Sequence, residues 1–386
     1  MFTVFIRMLR KRMRLIICLL LLLCACQGQE KESVLPAVEE QEEIFIPYSK
    51  PKPILIQDVF EEYHYVRLET TSSALLPAIE EITAVHMGED GVIYVSDTKK
   101  LFLFEPNGSL RNVISHQGDG PESYLSIISF TVWPNQDITI SQYGNDLISY
   151  TSTGKFISKL HFNNWMIKDL ISLNDRLLLL EMDPIYKDST LYNLVDRNTG
   201  KILSRYFPLR QVNKERYFML TQFYKYNGKI LRSGYQSNRI YALSEDTAVI
   251  HHPINVDNRM PPEDFWRQKD KNVSQIRQEW EHSGYIGHIP YYVESDSLIF
   301  LRYEGHTKEL QACAVIEKVS GRSCIVNRLV FDDFFNSEPK ILWPQQNGWC
   351  IIPLYPHEIL GNPKFAKSFP GLKEEDNPIF FIGKVK

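Results

Sequence analysis

Turn sequences recur along this chain at a fixed spacing. Four tips follow one another at steps of 46 residues. They end at Gly108, Gly154, Gly200 and Asp246. Each tip joins apolar-alternating runs, such as Leu101–Phe104 before the first tip and Leu110–Ile114 after it, so each is expected to be a β-hairpin. This period argues against several unrelated domains and predicts an array of similar β units.

A second kind of turn runs in phase with the first. It occurs six times, each time before a β-rich run. The turns are Asp90-Gly91, Gln136-Asp137, Asn174-Asp175, Asn227-Gly228, Asp296-Ser297 and Asn347-Gly348. Four-stranded units of about 40–50 residues are typical of β-propeller blades, and aromatic residues at 12% of the chain suit many short strands. The sequence predicts an all-β fold, a six-bladed β-propeller over residues 56–386.

The two ends of this region are expected to close the ring. The run Tyr63–Leu68 belongs to no unit of its own, and Ile379–Ile382 is the late strand of the sixth unit. Pairing these two runs would fasten the ends of the propeller and would remove exposed sheet edges.

The fifth unit exceeds the period by 29 residues. Residues 258–288 account for the excess, and their proline-led, charged sequence predicts one inserted helix. Trp266, Val273 and Trp280 recur at seven-residue steps and would share one stripe of that helix. The stripe has two interpretations: plain packing of the helix against the propeller, or a lid whose Trp266 and Trp280 contact a ligand.

The chain begins with a targeting segment. Five basic residues between Arg7 and Arg14 precede the apolar run Leu15–Ala25, whose 11 residues are too few to cross a bilayer. Residues 1–25 are therefore predicted to be a signal peptide. Residues 26–55 are rich in glutamate and punctuated by proline, which predicts a flexible tether.

The charge balance argues against a nucleic-acid partner. Removal of residues 1–25 would take five of the 43 Lys and Arg residues and leave a net charge of −9. No block of Lys and Arg follows Arg14, whereas a grip on phosphates requires a basic patch.

Three cysteines remain after Cys26, namely Cys313, Cys324 and Cys350. Cys313 and Cys324 flank one predicted hairpin and are the best candidates for a bridge in an exported protein. Burial of these residues as small apolar side chains is the other interpretation.

Signals for catalysis are few. The sequence contains no Gly-x-Ser-x-Gly elbow, no His-Glu-x-x-His and no phosphate loop. The predicted inner strands Ala84–His86, Phe130–Val132 and Leu170–Ser172 offer one histidine, His86, and no carboxylate. No metal site and no cofactor are therefore predicted. His86 is interpreted as a core or channel residue, with ligand binding as the weaker alternative.

Three stretches carry a family resemblance: Tyr65–Thr71, Gly91–Asp97 and the turn Gly118–Tyr124. They resemble the six-bladed propeller lipoproteins of Bacteroidetes, relatives of the NHL-repeat propellers. The turn is the most specific of the three and occurs clearly once. The conformational interpretation is that Gly118 and Gly120 can adopt positive φ and that Tyr124 can pack beneath the crossing between blades; an anion-binding nest is the functional alternative.

The run Leu23-Cys24-Ala25-Cys26 resembles a bacterial lipobox. This resemblance implies cleavage after Ala25 and acylation of Cys26, with the membrane as the partner of the attached lipid. Gln27 stands where many inner-membrane lipoproteins carry aspartate, and the acidic tract after it resembles surface-export signals. An outer-membrane lipoprotein is expected, on the periplasmic face or the cell surface.

Two functions are compatible with these features. The first is a non-catalytic binding or scaffold module for an envelope protein, a peptide or a glycan. The alternative is a hydrolase or lyase at the channel mouth, as the resemblance to NHL-type and gluconolactonase-like propellers implies. Converging histidines and carboxylates at the mouth would favour the enzyme, whereas an apolar and hydroxyl lining would favour the binding module.

Overall fold

Short strands joined by tight turns build the molecule. The computed structural model describes residues 42–386 except 143–144, 164–165, 183–189, 209–221, 235–237, 263, 269 and 333–334. Within these ranges the strands form six separate sheets. The sheets are the six blades of a β-propeller, which confirms the predicted fold class.

The first half of the described chain supplies three edge strands and three complete blades. The edge strands are β1 (Ile44–Ile46), β2 (Lys52–Leu55) and β3 (Phe60–Arg67), with helix α1 (Ile56–Val59) between the last two. The first blade contains β4 (Ala84–Met87), β5 (Ile93–Ser96), β6 (Leu101–Phe104) and β7 (Leu110–Ile114). The second contains β8 (Ile127–Val132), β9 (Ile138–Gln142), β10 (Asp146–Tyr150) and β11 (Phe156–His161). The third contains β12 (Ile167–Ser172), β13 (Leu177–Met182), β14 (Thr190–Asp196) and β15 (Ile202–Pro208).

The second half supplies the remaining blades. The fourth contains β16 (Tyr224–Tyr226), β17 (Lys229–Ser233), β18 (Arg239–Leu243) and β19 (Ala248–Val256). The fifth contains β20 (Ile286–Glu294), β21 (Leu298–Gly305), β22 (Gln311–Glu317), β23 (Ser323–Phe331) and the short β24 (Phe335–Ser337). The sixth contains β25 (Trp343–Pro344), β26 (Trp349–Leu354), β27 (Ile379–Val385) and β3.

Both turn markers lie where the spacing predicts them. The 46-residue tips join the third strand of a blade to the fourth, and the second marker joins the first strand to the second. Gly108 shows why the tip requires glycine: its φ is +87°, and a Cβ there would lie 2.1 Å from the carbonyl oxygen of Arg67.

The ring closes as the sequence predicts. β3 pairs antiparallel with β27, so the beginning of the propeller forms the outer strand of the last blade. Asn377 is buried and reinforces the seam, the junction at which β3 completes the sixth blade next to the first. Its amide nitrogen donates to the carbonyl oxygens of Glu69 (2.7 Å) and Ala74 (2.8 Å), and its amide oxygen accepts from the backbone of Leu76 (2.9 Å).

The predicted tether is wrong for its last residues. β1 pairs in parallel with β19 of the fourth blade, and β2 pairs in parallel with β23 of the fifth. Ile46 is fully buried there. The free energy gained by burying this side chain outweighs the preference of the polar residues around it for a flexible chain. Pro53 is tolerated because β2 lies at a sheet edge. The rest of the tether, the signal peptide and Cys26 lie outside the described residues.

One helix, α2 (Val273–Ser283), is inserted between the fourth and fifth blades, as predicted. Asn272 and Gln275 form a reciprocal capping box at its start, and Gly284 ends it in the left-handed conformation. The short helices α3 (Pro356–Leu360) and α4 (Pro363–Ala366) interrupt the sixth blade and were not predicted. Single 3₁₀ turns lie at Ile79–Glu81, Phe265–Arg267, Lys308–Leu310 and Gln346–Gly348.

The apolar core is divided among the contacts between blades. Six clusters of buried side chains each join two adjacent blades, and one of them closes the ring between the sixth blade and the first. Each blade is therefore buried on both faces. Within the described residues, no helix has both the length and the apolar character to span a membrane.

Three cysteines lie in the described chain, and all three are free thiols. In the pairing of β22 with β23, Cys313 faces Val326 and Cys324 faces Val315, so the two thiols are not opposite each other. Burial raises the pKa of the Cys313 thiol to about 12. Cys313 and Cys350 are buried and Cys324 is partly buried, which fits the interpretation of these residues as small apolar side chains better than a bridge.

Candidate functional site

The ends of the inner strands meet at one mouth of the central channel. Five of the six inner strands line a cavity of about 420 Å³. Their lining residues lie at the carboxyl ends of the strands, because every blade begins at the channel and turns at this mouth. These residues are His86–Met87, Thr131–Val132, Ile171–Ser172, Tyr224–Lys225 and Pro344.

His86 lies in the wall of this cavity. Burial lowers the pKa of His86 to about 4, although a hydrogen bond with the backbone of Phe130 opposes the shift. The imidazole ring also meets the Phe130 ring edge-to-face, with 4.9 Å between centroids. His86 is therefore a neutral hydrogen-bonding group at pH 7, not a charged one.

Lys225 brings a positive charge to the same wall. Burial lowers its pKa, and the only opposing influence comes from the carboxylate of Glu89 at the rim. Among the residues that the structure describes, no hydrogen bond or ion pair joins the Lys225 ammonium group to another side chain. A half-buried cation without a close partner favours an anionic ligand group.

The polar groups around the mouth are mostly fixed by the fold. The amide oxygen of Gln345 accepts from the backbone of Met87 (2.7 Å), and its nitrogen donates to the carbonyl oxygen of Val85 (3.0 Å). Asp90 accepts from the backbone of Val92 (3.2 Å) and from the side chain of Gln136 (3.1 Å). Gln345 and Asp90 therefore shape the rim rather than act as free reactive groups.

A buried charged cluster stands behind one wall. Arg232 donates to Asp169 at 2.8 Å, contacts Glu181, and lies 4.6 Å above the ring of Phe223, which lines the cavity. The Ser129 hydroxyl donates to the other oxygen of Asp169 at 2.5 Å. Burial raises the pKa of Glu181, and Arg232 opposes this shift. The cluster holds Phe223 in place across the second, third and fourth blades.

The expectation that the inner strands carry no carboxylate is wrong, because Asp169 lies in β12. Asp169 directly precedes the apolar pair Leu170–Ile171 in β12, and Lys225 stands between two tyrosines in β16. A charged residue next to apolar or aromatic strand residues is the signal that sequence reasoning missed. Within the described residues, the cavity lining combines one histidine with Glu89, Asp90 and Lys225 among aromatic and hydroxyl groups. This lining is neither the cluster of histidines and carboxylates expected of an enzyme nor the purely apolar and hydroxyl lining expected of a binding module.

Trp266 and Trp280 lie away from the cavity lining. Trp266 belongs to the separate turn Phe265–Arg267, so the predicted single helical stripe is wrong: the capping box begins a new helix after that turn. The two indole rings still meet, with 5.9 Å between centroids. Trp280 covers Gly287, where a Cβ would lie 2.7 Å from the indole. Both tryptophans take part in packing the insert, and their predicted ligand contact stays a prediction.

The turn Gly118–Tyr124 is built around its tyrosine. Tyr124 is fully buried; its hydroxyl donates to the carbonyl oxygen of Lys99 (2.7 Å) and accepts from the backbone of His116 (3.2 Å). Gly118 and Gly120 do not adopt the positive φ that glycine permits. The turn is compact at Gly120 instead, since a Cβ there would lie 3.1 Å from the Ser123 hydroxyl, a tight contact.

Groups suited to a cation converge elsewhere. Among the described residues, His251, His252 and Glu294 form the one such group, between the fourth and fifth blades. They are not among the residues that line the cavity.

Comparison with known proteins identifies a family for the chain and shows that its fold occurs in solved structures. A family model described as "Domain of unknown function (DUF4934)" matches residues 39–384. An exported-type protein of Bacteroides fragilis NCTC 9343 has a similar structure, with a TM-score of 0.72, 17% identity, and coverage of 89% of this chain and 99% of that one. A DUF4221 member from Bacteroides vulgatus has a TM-score of 0.52 and 13% identity, with 85% and 97% covered. No curated protein matches the sequence. At such low identities, the structural similarity shows a shared fold and no more.

Proposed function

We propose that this chain, which belongs to the DUF4934 family, is a binding module of the bacterial cell envelope that holds a carboxylate-bearing ligand at the mouth of its propeller channel. The observation that carries this proposal is the Lys225 ammonium group, which faces the cavity without a close partner among the described residues. A peptide or a glycan with an acidic group supplies the required chemistry.

The neighbours of Lys225 support binding rather than acid–base catalysis. His86 is neutral and is held against Phe130, so it offers the ligand a hydrogen bond without a charge. The aromatic and aliphatic side chains between the polar groups provide apolar contact area, as is typical of small-ligand sites. The rigid Gln345 and Asp90 contacts keep the mouth preformed, which lowers the entropic cost of binding.

Replacement of the lysine tests this function. Calorimetry would compare native protein, Lys225→Met and Lys229→Met, with Lys229 as an exposed lysine of the same blade. The probes are short peptides and oligogalacturonates, each with its amidated or neutral counterpart. We expect an acidic probe to bind native and Lys229→Met protein alike and Lys225→Met at least about tenfold more weakly. Equal binding by Lys225→Met would contradict the proposal.

We further propose that a lipid on Cys26 anchors the protein to the outer membrane. The support is the charged and apolar segment before Leu23-Cys24-Ala25-Cys26 and the glutamine that follows it. The kinship with lipoproteins and NHL-repeat propellers belongs to the same proposal, since it rests on short sequence stretches.

Fractionation of the native host tests the anchor. Cys26→Ser should release the protein from membranes, whereas Cys24→Ser leaves the proposed acceptor thiol in place and should stay bound. Proteolysis of intact cells then distinguishes the cell surface from the periplasmic face. Membrane retention of Cys26→Ser would contradict the lipid anchor.

A further inference from the structure

Two adjacent histidines face the same side of β19. In a regular strand, neighbouring side chains point to opposite faces. The pairing of β18 with β19 shifts here: Ile240 is opposite His252, and Tyr241 is opposite Ile250, so His251 is the extra residue of a β-bulge. The two imidazole rings consequently lie side by side, with 4.2 Å between their centroids.

A carboxylate of the next blade meets both rings. Glu294 is the last residue of β20 and is 1% exposed. Its Oε2 lies 2.7 Å from His251 Nε2, and its Oε1 lies 3.8 Å from His252 Nε2. One ligand atom from each of the three residues lies within 4.8 Å of the other two. The fourth and fifth blades thus contribute nitrogen and oxygen ligands to one point.

Neighbouring groups hold the carboxylate from behind. The Tyr292 hydroxyl donates to Glu294 Oε2 at 2.9 Å, and Lys318 Nζ donates to Oε1 at 2.6 Å. Such outer contacts orient a metal-binding carboxylate. The side chains of His251 and His252 retain 15% and 19% exposure, so an ion has access to the imidazoles although the carboxylate is buried.

We propose that His251, His252 and Glu294 form a Zn²⁺ site that joins the fourth blade to the fifth. Two imidazoles and one carboxylate are a common set of three protein ligands for zinc, with water in the fourth position. Tetrahedral Zn²⁺ with bonds of about 2.0–2.1 Å requires its ligand atoms to be about 3.3 Å apart. The 2.7 Å between His251 Nε2 and Glu294 Oε2 is shorter than that value, and His252 Nε2 lies 3.8 Å from the other oxygen, Oε1. Both imidazoles therefore have to move for their two nitrogens and one carboxylate oxygen to coordinate one ion.

The choice of ion follows from the ligands. Imidazole nitrogen suits zinc, whereas Ca²⁺ and Mg²⁺ favour sites made of oxygen ligands. Lys318 already places one positive charge on Glu294 Oε1, which leaves Oε2 for the ion and favours coordination through a single carboxylate oxygen. This site is independent of the channel-mouth ligand proposed above, because none of its three ligands lines the cavity.

Zinc uptake by the purified chain tests the site. The full chain would be stripped with a chelator, incubated with zinc sulfate, dialysed and analysed for bound metal, with thermal unfolding followed in parallel. The variants are His251→Asn and His252→Asn. The control is His288→Asn, because His288 is also half-buried beside a carboxylate, 3.5 Å from Glu304, but lies outside the cluster.

We expect one zinc ion per native chain and per His288→Asn chain, and a midpoint of unfolding that rises with zinc concentration in both. His251→Asn and His252→Asn should lose at least about tenfold in zinc affinity, the change expected from removal of one ligand. Should His251→Asn fail to fold, His252→Asn decides, since its side chain is the more exposed of the two. Absence of zinc from the native chain, or native-like uptake by a folded His252→Asn variant, would overturn the proposal.

Discussion

The first and fourth blades share a four-stranded plan but differ at their outer edges. The first blade ends at β7, whereas the fourth carries β1 on its outer strand and the fifth carries β2. The same N-terminal segment then supplies β3 to the sixth blade. Consecutive parts of one short segment therefore cover the edges of three consecutive blades. The difference teaches that the fourth, fifth and sixth blades depend on residues far away in sequence for their outer edges, whereas the first blade is a local unit.

The largest expected effect comes from removal of this segment. Deletion of residues 26–67 takes away β1, β2 and β3, which exposes the edges of three blades and opens the ring. We expect loss of cooperative thermal unfolding, measured by circular dichroism, and rapid cleavage by a protease. Deletion of residues 26–41 alone is the control and should leave the midpoint unchanged. A deletion to residue 67 that melts like the full chain would refute the role of the segment.

A single side chain sharpens the same comparison. Ile46 of β1 is fully buried, whereas Phe45 beside it is 44% exposed. Ile46→Ala should lower the free energy of unfolding by about 2–4 kcal/mol, and Phe45→Ala should change it by less than about 0.5 kcal/mol. Urea unfolding measures both. Similar losses in the two variants would mean that β1 packs less specifically than its burial indicates.

Turns show where the first blade meets the seam. Gly108→Ala combines a φ of +87° with a Cβ 2.1 Å from the Arg67 carbonyl oxygen, so we expect a loss of about 2–3 kcal/mol. Gly228→Ala has a φ of +72° but open space around the Cβ, and its loss should be about 1 kcal/mol. Denaturant unfolding distinguishes them. Equal losses would show that backbone strain alone, without the contact to the seam, sets the cost.

The smallest effect is electrostatic and lies in the regular second blade. Burial raises the pKa of Asp146, but hydrogen bonds from His161, Lys159 and Gln142 outweigh it and hold the pKa below its usual value. The stabilisation is therefore present above about pH 3.9 and is lost as the pH falls through the folded-state pKa. We expect about 1 kcal/mol, measured as unfolding midpoints between pH 2 and 5. Asp146→Asn should flatten this dependence, and an unchanged slope would argue against the ion pairs.

Local chemistry made the blades predictable from sequence. Gly108, Gly154 and Gly200 adopt positive φ, which few residue types other than glycine tolerate, so these hairpins leave a signal at their turns. The closing strand was predictable for a related reason: Tyr63–Leu68 belongs to no repeat unit of its own, so its pairing partner had to lie in another blade. Neither inference required knowledge of distant contacts.

Nonlocal pairing made the remainder unpredictable. Ile44 and Ile46 alternate as a strand does, but the surrounding glutamates and prolines favour a flexible chain, and only the parallel partner β19 reverses that balance. Lys225 belongs to the site for the same reason, since strand ends far apart in sequence place it beside His86 and Glu89. The bulge that turns His251 and His252 to one side likewise depends on the pairing with β18.

The path of the N-terminal segment has a mechanical consequence. If the chain is held at a membrane by its N-terminus, a pulling force reaches β1 before the other strands of residues 42–386, because β1 is the first strand that the structure describes. The load reaches β2 only after β1 has detached from the fourth blade, and it reaches β3 only after β2 has left the fifth. Under such a load, β1 and then β2 would unpair from their blades before any force acts on the pairing of β3 with β27 that closes the ring.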